Sequence, residues 1–184
     1  MTNGTAPTTA GAVANAFLDI QAEDNSFFPR IDQMKLYKLV YYSHAWWLAQ
    51  RNQSLFEEDV HAWPWGPVVP SLYGAFKNAE RGPIAGLRAT EISKTGPGIF
   101  DFKLREPDAP DATIMQYLRS VWKVHKGLSG VQLSNATHAP GEPWAIVKEQ
   151  YGNDLSSKPL IPNPIIKSVF KRKLEDRHAG KTTG

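Results

Sequence analysis

Cysteine is absent from the chain, which excludes disulfide staples, thiolate nucleophiles and thiolate metal sites together and fits a reducing compartment. No apolar run approaches the ~18 residues needed to span a bilayer. The polar start, Met1 to Thr9, has neither the basic leader nor the apolar core of a secretory signal. A cytoplasmic protein with no membrane insertion is expected. G-x-G-x-x-G, the Walker loop, H-E-x-x-H and G-x-S-x-G are all missing, so the usual phosphate cradles, zinc helix and nucleophile elbow are missing with them. This reading leaves no catalytic residue, cofactor or metal, and the chain is expected not to be an enzyme.

Aromatic bulk, by contrast, is plentiful. Six Trp, six Tyr and eight Phe among 184 residues, with 41% hydrophobic and 21% charged, describe a globular chain able to bury a core as one domain. The net charge of +3 is uneven, since Lys167, Lys171, Arg172, Lys173, Arg177 and Lys181 crowd one end. With an isoelectric point near 9.1, this invites a nucleic-acid reading. Glu175 and Asp176 interrupt the run, basic residues complement the end of a helix, and no helix-turn-helix is evident. A solvated helix end is the better reading, and nucleic acid is not expected as a partner.

Periodicity predicts a mainly α fold: a single compact helical domain around a central buried helix, with room for a small β element. Thr8 and Thr9 cap a helix through Val13, Ala16, Phe17 and Ile20 that ends near Asp24-Asn25. Ile31 to Gln50 is apolar around most of its circumference, as expected of the middle helix of a bundle. Val60 to Trp63 reads as a short extended piece before Pro64, Pro67 and Pro70, which forbid regular structure. A helix over Ser71 to Asn78 ends at Arg81-Gly82-Pro83. Phe100, Phe102 and Leu104 alternate with charges, the period of a half-buried strand, after a turn at Gly96-Pro97-Gly98. Helices follow from Asp111 to Gly127, over Val131 to Thr137 behind a Ser129 cap, over Trp144 to Glu149, and from an Asn163-Pro164 cap through Leu174. The expected divisions are a flexible N-terminus over 1–10, a helical domain over 11–155, and a C-terminal helix with basic tail over 156–184 packed on or extending from it.

Five histidines, at 44, 61, 125, 138 and 178, have no metal-ligand spacing. His44 and His125 read as satisfied core histidines, and His138 as a helix-end residue bonding the last carbonyls. Glu57-Glu58-Asp59 and the pair Asp108 and Asp111 are solvated loop charge rather than an acid and base pair, which leaves a hydrolase built on His138 poorly supported. The segment His61 to Tyr73, H-A-W-P-W-G-P-V-V-P-S-L-Y, has two readings. Its rings either plug the bundle or form a rigid surface of interface anchors.

Three stretches match a known pattern. Lys35-Leu36-Tyr37-Lys38-Leu39-Val40-Tyr41-Tyr42, with Ala45-Trp46, resembles a K-L-x-K-L-x-Y helix. Ala62-Trp63-Pro64-Trp65-Gly66-Pro67-Val68-Val69-Pro70, ending at Tyr73, is similar to an A-W-x-x-G-P-V-x-P-x-x-Y signature. Leu133-Ser134-Asn135-Ala136-Thr137-His138 with Pro143-Trp144 is similar to an L-S-x-x-T-H plus P-W element. In this order, over about Ala12 to Tyr151, they resemble the Panacea (SocA-like, GepA-type) antitoxin domain family. Pro64 departs from the charged or polar residue that many members have there, and the tail beyond Tyr151 has no counterpart.

The resemblance implies a mainly helical antitoxin of two-component toxin-antitoxin pairs, also found in prophages, whose partner is a cognate protein toxin. One branch acts as an adaptor delivering the toxin to an AAA+ protease. No catalytic residues are implied. Partner binding is assigned to Trp63, Trp65, Pro67, Val68 and Tyr73. Lys35, Leu36, Lys38, Leu39, Tyr41, Gly66, Thr137, His138 and Trp144 are assigned to the structural motif, with Thr137, His138 and Trp144 locking helix ends together.

Overall fold

The hydroxyl of Thr9 accepts from the Ala12 N–H and caps the first helix, α1 (Ala10–Glu23), as its place before an apolar stripe predicts. In the computed structural model, which describes residues 6–79 and 82–181, α1 packs on α2 (Gln33–Arg51). Met1 to Thr5 of the expected flexible N-terminus, and Arg81 of the expected helix stop, lie outside the described residues.

Asp32 caps α2 by accepting from Lys35 N–H at 2.7 Å, and Asn52 ends it in the left-handed conformation with φ 57°. Between these caps nearly every position from Lys35 to Leu48 is buried. The reason is the company around it: α1, a strand over Gly66–Val68, α4 (Ala112–His125), α5 (Gly130–Thr137) and α7 (Asn163–Lys181) all pack against α2. Burying each large aliphatic side chain contributes about 1.5–3 kcal/mol, so Leu36, Leu39 and Val40, each fully buried, make α2 the centre of the core. Seven helices and two antiparallel hairpins make up the described residues, a mainly α architecture.

Close approach sets how α5 meets α2. A side chain on Gly130 would come within 2.7 Å of both Asp32 Oδ1 and the Lys35 N, so only glycine lets the two helix starts touch. The Ser129 hydroxyl caps α5 in a capping box with Gln132.

Two local expectations are corrected. The proline-rich stretch is not irregular: β1 (His61–Trp63) pairs with β2 (Gly66–Val68) around a Pro64-Trp65 turn, in the register Ala62 to Pro67. Ala62 directs its N–H away from β2, to the Pro159 carbonyl at 2.8 Å. Pro67 therefore occupies a non-hydrogen-bonded position, where its missing N–H costs the ladder nothing. The second hairpin, β3 (Glu91–Lys94) with β4 (Phe102–Arg105), does form, but its alternation does not mark a buried face. Phe102, Leu104 and the Ile92 opposite Leu104 are all exposed.

The remaining helices are α3 (Pro70–Phe76) and α6 (Pro143–Gln150), each with proline in the first turn. The basic end of α7 is more than a solvated face. Ile166, Val169 and Phe170 are buried, Lys173 pairs with Glu142, and Arg177 lies 4.7 Å over the Trp46 ring. Lys171 and Arg172 do stay exposed. Asn163, read as a cap, spends its side chain on His44 and Ser54 instead.

Candidate protein-binding site

The β1–β2 hairpin is held by its backbone carbonyls. Trp63 O accepts from the Trp144 indole at 2.8 Å, Trp65 O from the Ser134 hydroxyl at 2.7 Å, and Pro67 O from the Lys38 ammonium at 3.0 Å. Each donor comes from a different helix, α6, α5 and α2. The carbonyls of residues 63, 65 and 67 are thus fixed from three helices, which holds the Pro64-Trp65 turn in place while the Trp65 ring stays exposed. The three sequence elements of the resemblance, far apart in the chain, meet at this hairpin.

Glycine is required at 66 for two reasons. Its φ is 103°, and a Cβ there would lie 2.7 Å from Lys38 Nζ and 2.8 Å from Thr137 Oγ1. Thr137 itself donates to the Ser134 carbonyl at 2.7 Å. His138 does not bond the last carbonyls of α5 as expected. Its ring stacks on Trp144 with centroids 3.9 Å apart, and its Nε2 is buried without a partner among the described residues. Burial, followed by the charges of Lys38 and Lys148, lowers its pKa and favours the neutral ring.

A groove of about 390 Å³ runs beside the hairpin. The start of α2 gives one wall through Gln33, Met34, Tyr37 and Lys38, and the hairpin gives the other through Trp63, Trp65 and Val68, with Tyr73 of α3 at its edge. Trp65 is 71% exposed and Tyr73 42%. Trp63 is half-buried, its ring 4.8 Å from that of Tyr73 and covered at 4.0 Å by the Lys158 ammonium. Val68 is buried yet reaches the groove, whereas Pro67 lies behind it and meets Lys38 through its carbonyl.

The sequence assigned Lys35 and Lys38 to a helix motif without seeing what they do. Both are buried in α2. Lys35 Nζ donates to the carbonyls of Pro29 at 2.6 Å and Lys126 at 2.7 Å, which ties the chain before α2 to the end of α4. Lys38 sits at the groove, and burial lowers its pKa to about 7. Tyr37, Met34 and Ser134 also escaped the sequence reading as site residues. Two lysines three apart on a helix apolar all round were the available signal, since such a helix has no solvent face to offer them.

Away from the groove, His44, His125 and Glu58 are held by local contacts. His44 stacks on Phe56 and bonds Asn163 at 3.0 Å, and His125 bonds the Val121 carbonyl at 2.8 Å. Glu58 accepts from the Ala10 N–H at 2.9 Å. Among the described residues no three His, Cys, Asp or Glu come together as a metal site, and no helix is long and apolar enough to cross a membrane.

Comparison with known proteins gives the same convergence a name. Residues 36–145 match the family model described as Antitoxin SocA-like, Panacea domain, a span that starts beside Lys35 and closes beside Trp144. The chain is 29% identical over 164 residues to Antitoxin SocA of Caulobacter vibrioides (strain NA1000 / CB15N), covering 88% of this chain and 82% of that protein. No solved structure matches. With the matched span running from the central helix through the clamped hairpin to the ring that holds it, this chain belongs to the SocA-like, Panacea-domain family of antitoxins.

Proposed function

We propose that this protein neutralises a cognate protein toxin in the cytoplasm by binding it directly, without turnover, through the groove beside the β1–β2 hairpin. The observation that carries the reading is Trp65, 71% exposed on a turn whose flanking carbonyls are fixed by Trp144, Ser134 and Lys38. An aromatic ring already held in place loses little conformational entropy on docking, and Trp and Tyr carry a large share of binding energy in protein interfaces. Trp63, Val68 and Tyr73 line the adjoining groove and supply apolar walls for the same partner. Pro67 serves by stiffening β2 rather than by touching the toxin.

The test is genetic and then physical. A neighbouring reading frame whose product stops growth, and whose effect this protein relieves, supplies the toxin. The two proteins expressed together should copurify as a stable complex that the Trp65→Ala protein no longer forms. Loss of the toxin from cells in place of a complex would favour delivery to an AAA+ protease, with the exposed basic residues Lys171 and Arg172 of α7 as the surface to examine. Rescue by Trp65→Ala with undiminished binding would remove the groove from consideration.

A further inference from the structure

Three polar groups at the groove, two of them donors only, have hydrogen-bonding capacity that no described residue meets. Lys38, 1% exposed, directs one of its three ammonium N–H groups to the Pro67 carbonyl, and no other described residue accepts from it. The Tyr37 hydroxyl and the Trp63 indole N–H, on two further lining residues, are buried with no partner among the described residues. Asp32, the carboxylate among the described lining residues, is occupied as the cap of α2. Buried donors without acceptors carry a free-energy penalty, and a ligand that supplies the acceptor relieves it.

We propose that the groove recognises an acidic side chain of the partner protein, an Asp or Glu flanked by apolar residues, with its carboxylate against the Lys38 ammonium and its neighbours against Trp63, Trp65 and Tyr73. This deepens the groove reading above and rests on it. The charge follows from Lys38, since a buried cation without a counter-charge attracts an anion strongly in a low-dielectric wall. Burial alone holds the Lys38 pKa near 7, and an arriving carboxylate supplies the opposite charge that favours the ammonium. The apolar flanks follow from the aromatic walls. A side chain is favoured over a chain terminus because terminal carboxylates are captured by nests of free backbone N–H groups. This hairpin offers no such nest: Pro67 has no N–H, and Gly66 and Val68 stand in hydrogen-bonded register with Trp63 and His61.

Two capped peptides, acetyl-Leu-Glu-Leu-amide and acetyl-Leu-Gln-Leu-amide, with acetyl-Leu-Gln-Leu carrying a free C-terminus as a third, test this by NMR titration of the whole protein. The Glu peptide should shift the Lys38 side chain and the Trp63 and Trp65 indole signals and bind at least ~10-fold tighter than the Gln peptide. Lys38→Met should abolish that preference while its melting midpoint shows that it stays folded. Equal binding of the Glu and Gln peptides to the wild-type protein, or no binding, overturns the proposal, and stronger binding of the free-terminus peptide replaces it with terminus capture. If Trp65→Ala weakens toxin binding while the peptides do not differ, the groove reading survives and the carboxylate inference falls. If neither Trp65→Ala nor Lys38→Met weakens toxin binding, both fall.

Discussion

The indole N–H of Trp144 donates to the carbonyl oxygen of Trp63 at 2.8 Å, so one ring at the start of α6 holds the first strand of the β1–β2 hairpin. The same ring is 5% exposed, stacks on His138 and lies 5.2 Å beneath the Lys148 ammonium. Trp144→Ala should therefore lose both packing and the hydrogen bond, destabilising the fold by about 3–5 kcal/mol. Trp144→Phe keeps most of the ring and should cost less. Denaturant titration measures both, and an unchanged midpoint for the alanine variant would mean that the ring does not act as a plug.

Gly66 makes a sharper prediction, because two causes act at one atom. Its φ of 103° disfavours any side chain, and a Cβ would press on Lys38 Nζ and Thr137 Oγ1 at under 3 Å. Gly66→Ala should destabilise by about 1–3 kcal/mol from backbone strain, with more if Lys38 is pushed off the Pro67 carbonyl. A stability equal to wild type would show that the turn relaxes freely.

Lys38 should make stability rise with pH. Its folded pKa, about 7, lies below the ordinary lysine value of 10.5 because of burial, so the unfolded chain binds more protons between these values. Stability then grows as pH climbs from about 7 towards 10, by on the order of a few kcal/mol in total, and below about 7 this contribution is flat, since the lysine is protonated in both states. Lys35, held near 8 by burial, adds in the same direction. Buried tyrosines oppose them above about pH 10, since Tyr37 is pushed up to about 12 by burial and then by Tyr73. Unfolding midpoints at about pH 7 and about pH 9.5 should differ clearly in wild type and much less in Lys38→Met. An identical pH dependence in the two proteins would contradict this account.

The central helix was readable because most residues from Leu36 to Leu48 are aliphatic or aromatic and lie all round the cylinder, a pattern that burial on every side satisfies. The helix caps at Thr9 and Ser129 were equally legible, being local chemistry. Lys35 and Lys38 were not, because a lysine is ordinarily a surface residue, and only the carbonyls of Pro29, Lys126 and Pro67, distant in sequence, show why these two are inside. Pro67 misled for a related reason. Whether a proline can enter a strand depends on which side of the ladder its nitrogen faces, and that register is set by Pro159, nearly a hundred residues away. At Phe102 and Leu104 the alternation marked a strand correctly, but period alone cannot say whether anything covers the apolar face.

Trp65 separates binding from folding more cleanly than any other residue at the site. Its ring is 71% exposed, and its main structural contact is made by its carbonyl, which accepts from Ser134 and survives any side-chain change. Removing the ring should thus leave the melting midpoint near wild type, as surface substitutions do within about 0.5 kcal/mol. Trp63, by contrast, is half-buried against Tyr73 and Lys158, so its truncation mixes both effects and is the poorer probe. If the groove binds the toxin, Trp65→Ala should weaken the complex by at least ~2 kcal/mol, the loss that marks a hot spot, and rescue of growth should fail with it. Calorimetry of the purified pair and a thermal melt of the variant measure the two quantities separately. A variant that unfolds would make Trp65 part of the core despite its exposure, and one that folds and binds unchanged would move the interface away from this hairpin.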